Sequence, residues 1–327
     1  MQQGIKRIGI LTSGGDAPGM NAVVRAVVRT ALSQDVECVG VRRGSNGLIN
    51  GDFVRMDASS VSHIIEKGGT VLYTARSEEF LTDEGQNKAV ATCRLLGLDA
   101  VVAIGGDGTF CGALALSRHG IPVIGIPATI DNDLGCSQYT VGFDTACNTA
   151  VAAIDMLRDT MQSHERCSLV EVMGRQAGYL ALYVGIATGA TAVLIPERPV
   201  DIERDIVEKI RQARLSGRTH YMIVVAEGAG NAFDIAAQIK ESIGLDPRVT
   251  VLGHIQRGGS PSSRDRETAT RMGYQAVRCL LEGKGNRVIA ARDGKVVDID
   301  IAEALAMTKP FPMDRYEVLE AVAAHGK

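Results

Sequence analysis

The sequence contains no tryptophan, and aromatic residues make up only 4% of its 327 residues. Proteins that hold single-stranded nucleic acid stack bases on aromatic side chains, so this composition argues against that class. The 35 basic and 38 acidic residues give a formal net charge of −3. Such a balance supplies no broad positive field, and we therefore expect no nucleic-acid partner and no membrane partner.

The spacing of the cysteines excludes two further classes. The seven cysteines are scattered, odd in number and never spaced as CxxC, which argues against a disulfide framework and against a zinc site. The first residues, MQQGIKRIGI, lack the layout of a signal peptide. We expect a reduced, cytoplasmic protein.

Long apolar runs are also scarce, and only one stretch needs a decision. Residues 177–195 carry no charge over 19 residues, which is the length of a membrane span. Gly185 and Gly189 interrupt the stretch, and Pro196 closes it. This pattern favours a buried helix, a glycine stop and a buried strand.

Glycine is abundant by contrast, at 37 of 327 residues, or about 11% against an average near 7%. Short β-branched runs alternate with longer amphipathic runs, which is typical of βαβ units and a parallel sheet. No proline- or serine-rich linker marks a domain boundary. The predicted strands are 7–11, 37–41, 100–104, 122–126, 168–172, 192–195, 221–226 and 249–252, and the predicted helices include 22–32, 88–96, 145–160, 202–215 and 263–281.

Three loops follow predicted strands, at the sheet edge where α/β proteins keep their chemistry. The first, TSGGD, leads into a helix whose free N–H groups favour an anion. The second, IGGDGT, lets the backbone close on phosphates and places Asp107 to hold Mg²⁺, although it matches neither Walker A nor GxGxxG. The third, PATIDND, carries Asp131 and Asp133, of which one can accept a proton. Ordinary βα turns and an Asx turn are the structural alternatives.

Six sequence blocks together resemble a known family. TSGGDAPGMN, GGT…AR, IGGDGT, ATIDND, VEVMGRQAG and GHIQRGGSP occur in this order and look like the motifs of bacterial ATP-dependent 6-phosphofructokinases. GGDGT by itself is shared with NAD kinases and diacylglycerol kinases, which lack the VEVMGR and GHIQRGG blocks. The resemblance implies an α/β fold of two Rossmann-like three-layer domains with mostly parallel sheets. It divides the chain into a larger ATP- and Mg-binding domain, 1–141 with 259–308, and a smaller sugar-phosphate domain, 142–258 with 309–327.

The resemblance also implies a reaction, the phosphorylation of fructose 6-phosphate at its 1-hydroxyl by direct in-line transfer from ATP. Asp131 matches the family's proton acceptor. An aspartate, with a reference pKa of about 3.9, is too weak to deprotonate a free alcohol, but it can orient the hydroxyl and accept its proton late in a loose transition state. Thr129, Arg76 and Arg175, with Mg²⁺ and backbone amides, would then stabilise the charge on the transferred group.

Site residues carry over position by position. The residues matching ATP-binding positions are Gly15, Arg76, Ser77, Gly106, Asp107, Gly108 and Thr109, with Asp107 at the metal. Those matching sugar-phosphate positions are Thr129, Ile130, Asp131, Arg166, Met173, Gly174, Arg175, Glu227, Arg248, His254, Ile255, Gln256 and Arg257. Arg166 and Arg248 match residues that a neighbouring subunit donates in the family, which implies a homotetramer with shared active sites.

The phosphoryl donor is open between ATP and pyrophosphate. Pyrophosphate-using relatives carry aspartate where this chain has Gly108 and lysine where it has Ala128. An aspartate would crowd and repel the α-phosphate of ATP, so Gly108 favours ATP. Ala128 itself replaces the glycine usual in the ATP enzymes. A ligand-sensing relative without activity is a further alternative, against which the intact Asp107, Asp131 and Arg175 argue.

The resemblance is weakest in the regulatory pocket. Arg25 and Arg29 lie four residues apart on one helical face, where like charges repel unless an anion binds, and a solvated basic face is the alternative. Ala58, Thr191 and Ser216 replace an arginine, a glutamate and a lysine of the family's pocket, so we expect weak, altered or absent control by ADP. The residues matching effector positions are Arg25, Arg29, Arg158, Gly189 and Arg218.

Overall fold

The computed structural model describes residues 4–323, which separate into two compact units. The first unit takes in Met1–Ile130, Leu134–Thr145 and Arg257–Lys309, and the second takes in Asp131–Asp133, Ala146–Gln256 and Pro310–Lys327. The expected domain boundaries lay at 141, 258 and 308. The units of the structure change at 145, 256 and 309, and the short piece 131–133 groups with the second unit.

Strands and helices are numbered in chain order. The strands are β1 Arg7–Thr12, β2 Glu37–Val41, β3 Phe53–Met56, β4 Ala100–Gly105, β5 Val123–Pro127, β6 Cys167–Val172, β7 Ala192–Leu194, β8 Tyr221–Ala226, β9 Arg248–Val251, β10 Arg287–Arg292 and β11 Lys295–Asp300. The helices are α1 Met20–Leu32, α2 Ser45–Asn50, α3 Asp83–Leu95, α4 Asp107–Arg118, α5 Phe143–Ser163, α6 Tyr179–Thr188, α7 Glu208–Leu215, α8 Ala232–Ile243, α9 Ser263–Leu281, α10 Ile301–Ala306 and α11 Met313–Ala323.

The first unit is built on a seven-stranded sheet of order β11-β10-β5-β4-β1-β2-β3. Its five central strands run parallel, and β3 and β11 pair antiparallel at the two edges. One apolar cluster joins the sheet to α3, α4 and α10. Helices α1 and α9 contact each other, and α9 also lies against β5 and β10. Burial of both faces explains why the central strands are apolar nearly throughout.

The second unit contains a four-stranded, fully parallel sheet of order β7-β8-β6-β9. Its charge-free stretch folds as predicted, since α6 ends at Gly189, a glycine with a left-handed φ of 58°, and β7 follows. Within residues 4–323, no helix is both long enough and apolar enough to cross a membrane.

All eight predicted strands are confirmed to within about two residues at each end. Three strands escaped prediction, namely β3, β10 and β11. The predicted helix over 202–215 is interrupted, because Glu203–Val207 forms a π-helical turn before α7 begins. Mixed α/β architecture with mostly parallel sheets is confirmed in both units.

Candidate functional site

The first glycine loop follows β1 and is tied to the segment that carries Arg76. The Thr12 hydroxyl donates to the Tyr73 carbonyl at 2.8 Å, and the Thr74 hydroxyl donates to the Gly14 carbonyl at 2.6 Å. These two hydrogen bonds hold residues far apart in sequence at the carboxyl end of β1. Arg76 itself is exposed beside this loop, so its guanidinium is accessible to an anionic ligand.

The second glycine loop connects β4 to α4 and packs on the first. The Thr109 hydroxyl donates to the Ser13 carbonyl at 3.1 Å. A Cβ placed on Gly105 would overlap both of these groups, so close packing of the two loops requires glycine at this position. Gly106 is the N-cap residue of α4, and it has no side chain that could accept a hydrogen bond from the first backbone N–H groups of the helix.

Gly106 and Gly108 differ from Gly105, because packing does not require them. A Cβ on Gly108 would meet no described atom within 4 Å, and one on Gly106 would meet only the Thr129 Cβ, at 3.9 Å. Neither glycine has a left-handed φ. The N-terminus of α4 therefore faces open space, where the helix dipole and backbone N–H groups favour an anion.

Asp107 is the one acidic residue in the first turn of α4. Its carboxylate is exposed and accepts the Gly108 N–H at 2.8 Å. Among the described residues, no group of three or more histidine, cysteine, aspartate or glutamate side chains is arranged to hold a metal ion. Because Mg²⁺ is held through one or two carboxylates together with substrate phosphates, a single exposed carboxylate fits a metal that arrives with a nucleotide.

The third loop follows β5, next to β4 in the sheet. Its residues from Ala128 to Asn132 are all buried, and Asp131 is only 4% exposed. The Ala128 N–H donates to the Gly105 carbonyl at 3.0 Å. The Thr140 hydroxyl donates to the Thr129 carbonyl at 2.7 Å. The carboxyl ends of β1, β4 and β5 thus lie at one edge of the first unit's sheet. They bring the first two predicted loops together with the part of the third loop that belongs to this unit, which ends at Ile130.

In the second unit, the loop after β6 is fixed by two side chains. Glu227 Oε1 accepts the N–H groups of Gly174 at 3.0 Å and Arg175 at 2.7 Å, and Gln256 Oε1 accepts the Met173 N–H at 3.2 Å. Both Gly174, with φ 141°, and Arg175, with φ 54°, have left-handed backbone. The hydrogen bonds to Glu227 therefore stabilise an unfavourable backbone conformation at Arg175, whose side chain is exposed.

The other residues predicted for the sugar phosphate occupy exposed ends of elements in the second unit. Arg166 immediately precedes β6, and Arg248 opens β9 beside Asp246, with 3.9 Å between Nη1 and Oδ2. His254 and Ile255 are exposed in the 3₁₀ turn Gly253–Arg257. The geometry leaves these side chains accessible.

Arg257 differs from these residues because it belongs to the first unit. Its guanidinium donates to the Asp16 carbonyl at 3.0 Å. A Cβ on Gly15 would lie 2.5 Å from Nη1 of Arg257. Arg257, which is predicted to contact the sugar phosphate, thus lies against the first glycine loop.

The predicted effector residues divide between the units. Arg25 and Arg29 line a cavity of about 610 Å³ in the first unit. Arg158 donates to the carbonyl of Thr188 in the second unit, next to Gly189 at the end of α6, and Arg218 is exposed. The cavity lining is completed by Ala26, Thr30, Thr270, Arg271, Tyr274, Gln275, Lys295 and Val296.

Sequence reasoning missed the buried polar residues that support these loops. Asn21 Nδ2 donates to the carbonyls of Lys67 and Gly68 at 3.1 Å, and Asn21 Oδ1 accepts the Val71 N–H at 2.8 Å. Asp265, which is fully buried, is a second example. Asn21 lies inside the TSGGDAPGMN block, and its polar side chain on an otherwise apolar helix face was the available signal.

Two α/β units with loops at the carboxyl ends of parallel strands define a doubly wound α/β protein with its ligand loops at the sheet edge. The family model described as phosphofructokinase matches residues 7–280, and the chain belongs to the phosphofructokinase family.

Curated relatives are similar over nearly the whole chain. An ATP-dependent 6-phosphofructokinase of Clostridium botulinum (strain Hall) is 51% identical over 314 residues, which cover 96% of this chain and 98% of that protein. An ATP-dependent 6-phosphofructokinase of Clostridium tetani (strain Massachusetts) is 52% identical over 319 residues, covering 98% of this chain and 100% of that protein.

Solved structures support the same fold. Phosphofructokinase from Saccharomyces cerevisiae superposes with a TM-score of 0.86 at 34% identity, over 97% of this chain, which spans only 46% of the yeast chain. A pyrophosphate-dependent phosphofructokinase from Marinobacter aquaeolei superposes with a TM-score of 0.84 at 23% identity, over 99% of this chain and 93% of that chain. The latter likeness shows the fold alone.

Proposed function

We propose that this protein is an ATP-dependent 6-phosphofructokinase, which transfers the γ-phosphoryl group of ATP to the 1-hydroxyl of fructose 6-phosphate. The observation that carries the choice of donor is the open space over Gly106 and Gly108 at the start of α4. Identity of 51–52% to ATP-dependent enzymes over nearly their full length supports the reaction.

ATP is held by the first unit. The backbone N–H groups of the two glycine loops face the phosphates. The exposed Arg76 offsets their negative charge, and the Ser77 hydroxyl donates a further hydrogen bond. Glycine at position 108 leaves room for the α-phosphate. An aspartate there would remove that room and place a negative charge beside the phosphate.

Asp107 would hold Mg²⁺ that binds with the nucleotide. The exposed carboxylate at the start of α4 fits that role, because Mg²⁺ keeps several of its ligands as water and phosphate oxygens. When bound, the ion neutralises negative charge that develops on the transferred group.

Asp131 accepts the proton of the sugar hydroxyl. Asp131 is 4% exposed in a buried loop, which limits the hydration of its carboxylate. Because a loose transition state asks for little activation of the nucleophile, the proton moves late, and Asp131 mainly orients the hydroxyl. Arg175 and Thr129 assist by neutralising and hydrogen-bonding the transferred group.

Thr129, Ile130 and Arg257 are among the residues proposed to contact fructose 6-phosphate. Arginine suits this task because its planar guanidinium gives a phosphate two directed hydrogen bonds. The remaining residues proposed to contact it are Asp131, Arg166, Met173, Gly174, Arg175, Glu227, Arg248, His254, Ile255 and Gln256. We further propose a cytoplasmic homotetramer in which Arg166 and Arg248 serve a neighbouring subunit's site.

A coupled assay with fructose 6-phosphate and Mg²⁺ tests the proposal. We expect turnover with ATP and at least 100-fold less with pyrophosphate at equal concentration. Turnover only with pyrophosphate would establish the alternative donor. Nucleotide or sugar-phosphate binding without turnover would establish the ligand-sensing alternative.

Regulation is the part of the function in which this chain departs from its family. At the positions that match the family's effector residues, Ala58, Thr191 and Ser216 stand in place of an arginine, a glutamate and a lysine. We propose weak, altered or absent activation by ADP. A strong ADP activation that vanishes in Arg25→Ala would contradict this.

A further inference from the structure

Asp265 lies in the first turn of α9 and is fully buried. Its Oδ1 accepts the Tyr139 hydroxyl at 2.5 Å and the Gly142 N–H at 2.7 Å. Its Oδ2 accepts the Thr145 N–H at 2.9 Å and the Thr145 hydroxyl at 2.5 Å. Four of the donors to this carboxylate come from one stretch of seven residues, 139–145, and the Ser262 hydroxyl, 3.5 Å from Oδ2, is a fifth.

The Asp265 carboxylate also stabilises the start of a neighbouring helix. Thr145 lies in the first turn of α5, so the carboxylate caps the N-terminus of that helix from another element. Burial raises the pKa of Asp265, and the hydrogen bonds from Thr145, Tyr139 and Gly142 oppose that rise. Loss of the acceptors would leave buried donors without partners, which is costly.

The stretch 139–145 supports the loop after β5. The Val141 N–H donates to the Pro127 carbonyl at 3.0 Å, and Val141 forms an isolated bridge with Ala128. The buried Thr140 hydroxyl donates to the Thr129 carbonyl at 2.7 Å. The segment 139–145 thus links the two sites, because it is held by Asp265 at Tyr139, Gly142 and Thr145 and bonds through Thr140 to the Thr129 carbonyl, two residues before Asp131.

We propose that Asp265 is a positioning residue for phosphoryl transfer, which fixes the Thr129 backbone through residues 139–145. The inference rests on the proposed function, because it assumes that the loop after β5 carries the reacting groups. The hydrogen-bond partners of Asp265 described above, Tyr139, Gly142 and Thr145, are not among the residues proposed to bind ATP. Its contribution therefore concerns the alignment of the transfer loop.

The test compares three variants in the full chain. Asp265→Asn keeps the shape but replaces one acceptor oxygen with a donor. Thr140→Val keeps the shape but removes the hydroxyl that reaches Thr129. Asp205→Asn is the matched control, because Asp205 is also a buried carboxylate, 4% exposed, that accepts a backbone N–H, that of Asp201 at 2.9 Å, and it lies in the second unit.

We expect kcat to fall roughly 10- to 100-fold in Asp265→Asn and in Thr140→Val, because small misplacements of reacting groups carry costs of that size. KM for ATP should change less than about twofold. The kcat of the double variant should be little lower than that of the worse single variant, since both changes remove hydrogen bonds of the same segment, 139–145. Asp205→Asn should lower the unfolding free energy while keeping kcat.

Several outcomes would overturn the inference. They are a wild-type kcat in folded Asp265→Asn, a kcat loss in Thr140→Val that simply multiplies with that of Asp265→Asn, or an equal kcat loss in Asp205→Asn. If Asp265→Asn does not fold, Thr140→Val and Tyr139→Phe carry the same test. Inactivity of the wild type toward fructose 6-phosphate would instead refute the proposed function, so the two failures are distinguishable.

Discussion

The glycines of the second loop have different structural roles. Gly105 is glycine because the first loop packs against it, whereas Gly106 and Gly108 border open space. The sequence predicts a phosphate loop here but cannot separate these cases, because three glycines within four residues look equivalent without their neighbours. Only the geometry shows which glycine serves packing and which leaves room for a ligand.

Gly108→Asp should separate stability from nucleotide binding. We expect the unfolding free energy to rise by roughly 0.5–1.5 kcal/mol, since an acidic residue in the first turn of a helix is favoured and glycine is a poor helix former. KM for ATP should rise at least tenfold. Thermal unfolding and steady-state kinetics measure both. Ser117→Asp, near the other end of α4, is the control, and an unchanged KM for ATP in Gly108→Asp would contradict the donor assignment.

Asp131→Ser should abolish turnover with little effect on binding. We expect kcat to fall roughly 100- to 10,000-fold, the range for loss of a general acid–base group. Binding of fructose 6-phosphate, measured by calorimetry, should stay within about threefold. Asp133→Ser, two residues on and 26% exposed at its side chain, provides the comparison. Near-normal kcat in Asp131→Ser would remove this residue from the mechanism.

Whole elements were predicted where hydrophobic pattern and length agree. The parallel strands are apolar runs of three to six residues, which the sequence reveals directly. Strand β10 and the edge strand β11 escaped prediction, because arginines close the short apolar run of β10 at both ends and aspartates interrupt that of β11. The Asp293-Gly294 turn between them is nevertheless a strong hairpin signal. The π-helical turn at Glu203–Val207 was not predicted, because its buried carboxylate, Asp205, and the two arginines that pair with it give no signal in the hydrophobic pattern.

Asp205→Asn tests that turn through pH. Burial favours a raised pKa, but the hydrogen bond from Arg204, the Asp201 N–H and the charge of Arg198 outweigh it, so the pKa of Asp205 is lowered from 3.8. A lowered folded-state pKa means that the stabilisation is present above 3.8 and is lost as the pH falls through the folded value.

We expect Asp205→Asn to lower the unfolding free energy at pH 7 by about 1–2 kcal/mol, discounted because Arg204 is half exposed. The difference from wild type should shrink below pH 3.8. Urea unfolding at pH 7 and at several acidic pH values measures it. Asp234→Asn, exposed in the first turn of α8, is the control. A difference that grows on acidification would reverse the sign argued here.

At the scale of the whole molecule, the proposed homotetramer depends on two arginines. Arg166 and Arg248 are exposed at the ends of their strands, and the proposal gives them to a neighbouring subunit's site.

Mixing two inactive variants tests this sharing. If Asp131→Ser and Arg248→Ala subunits exchange within one tetramer, some sites combine an intact Asp131 with an intact Arg248. We expect the mixture to recover a measurable part of the wild-type activity, while each variant alone stays inactive. Subunit exchange is verified by mass, and exchange without recovery would show that each chain serves its own site.

The strand order of the larger sheet has a consequence for synthesis on the ribosome. About 160 residues separate the end of β5 at Pro127 from the start of β10 at Arg287, its sheet neighbour. At about 5–20 residues per second, β5 waits roughly 8–32 s for that neighbour. All four strands of the smaller sheet emerge within this interval. The nascent chain can therefore complete its later sheet first, while the edge of β5 stays open to pairing with other nascent chains.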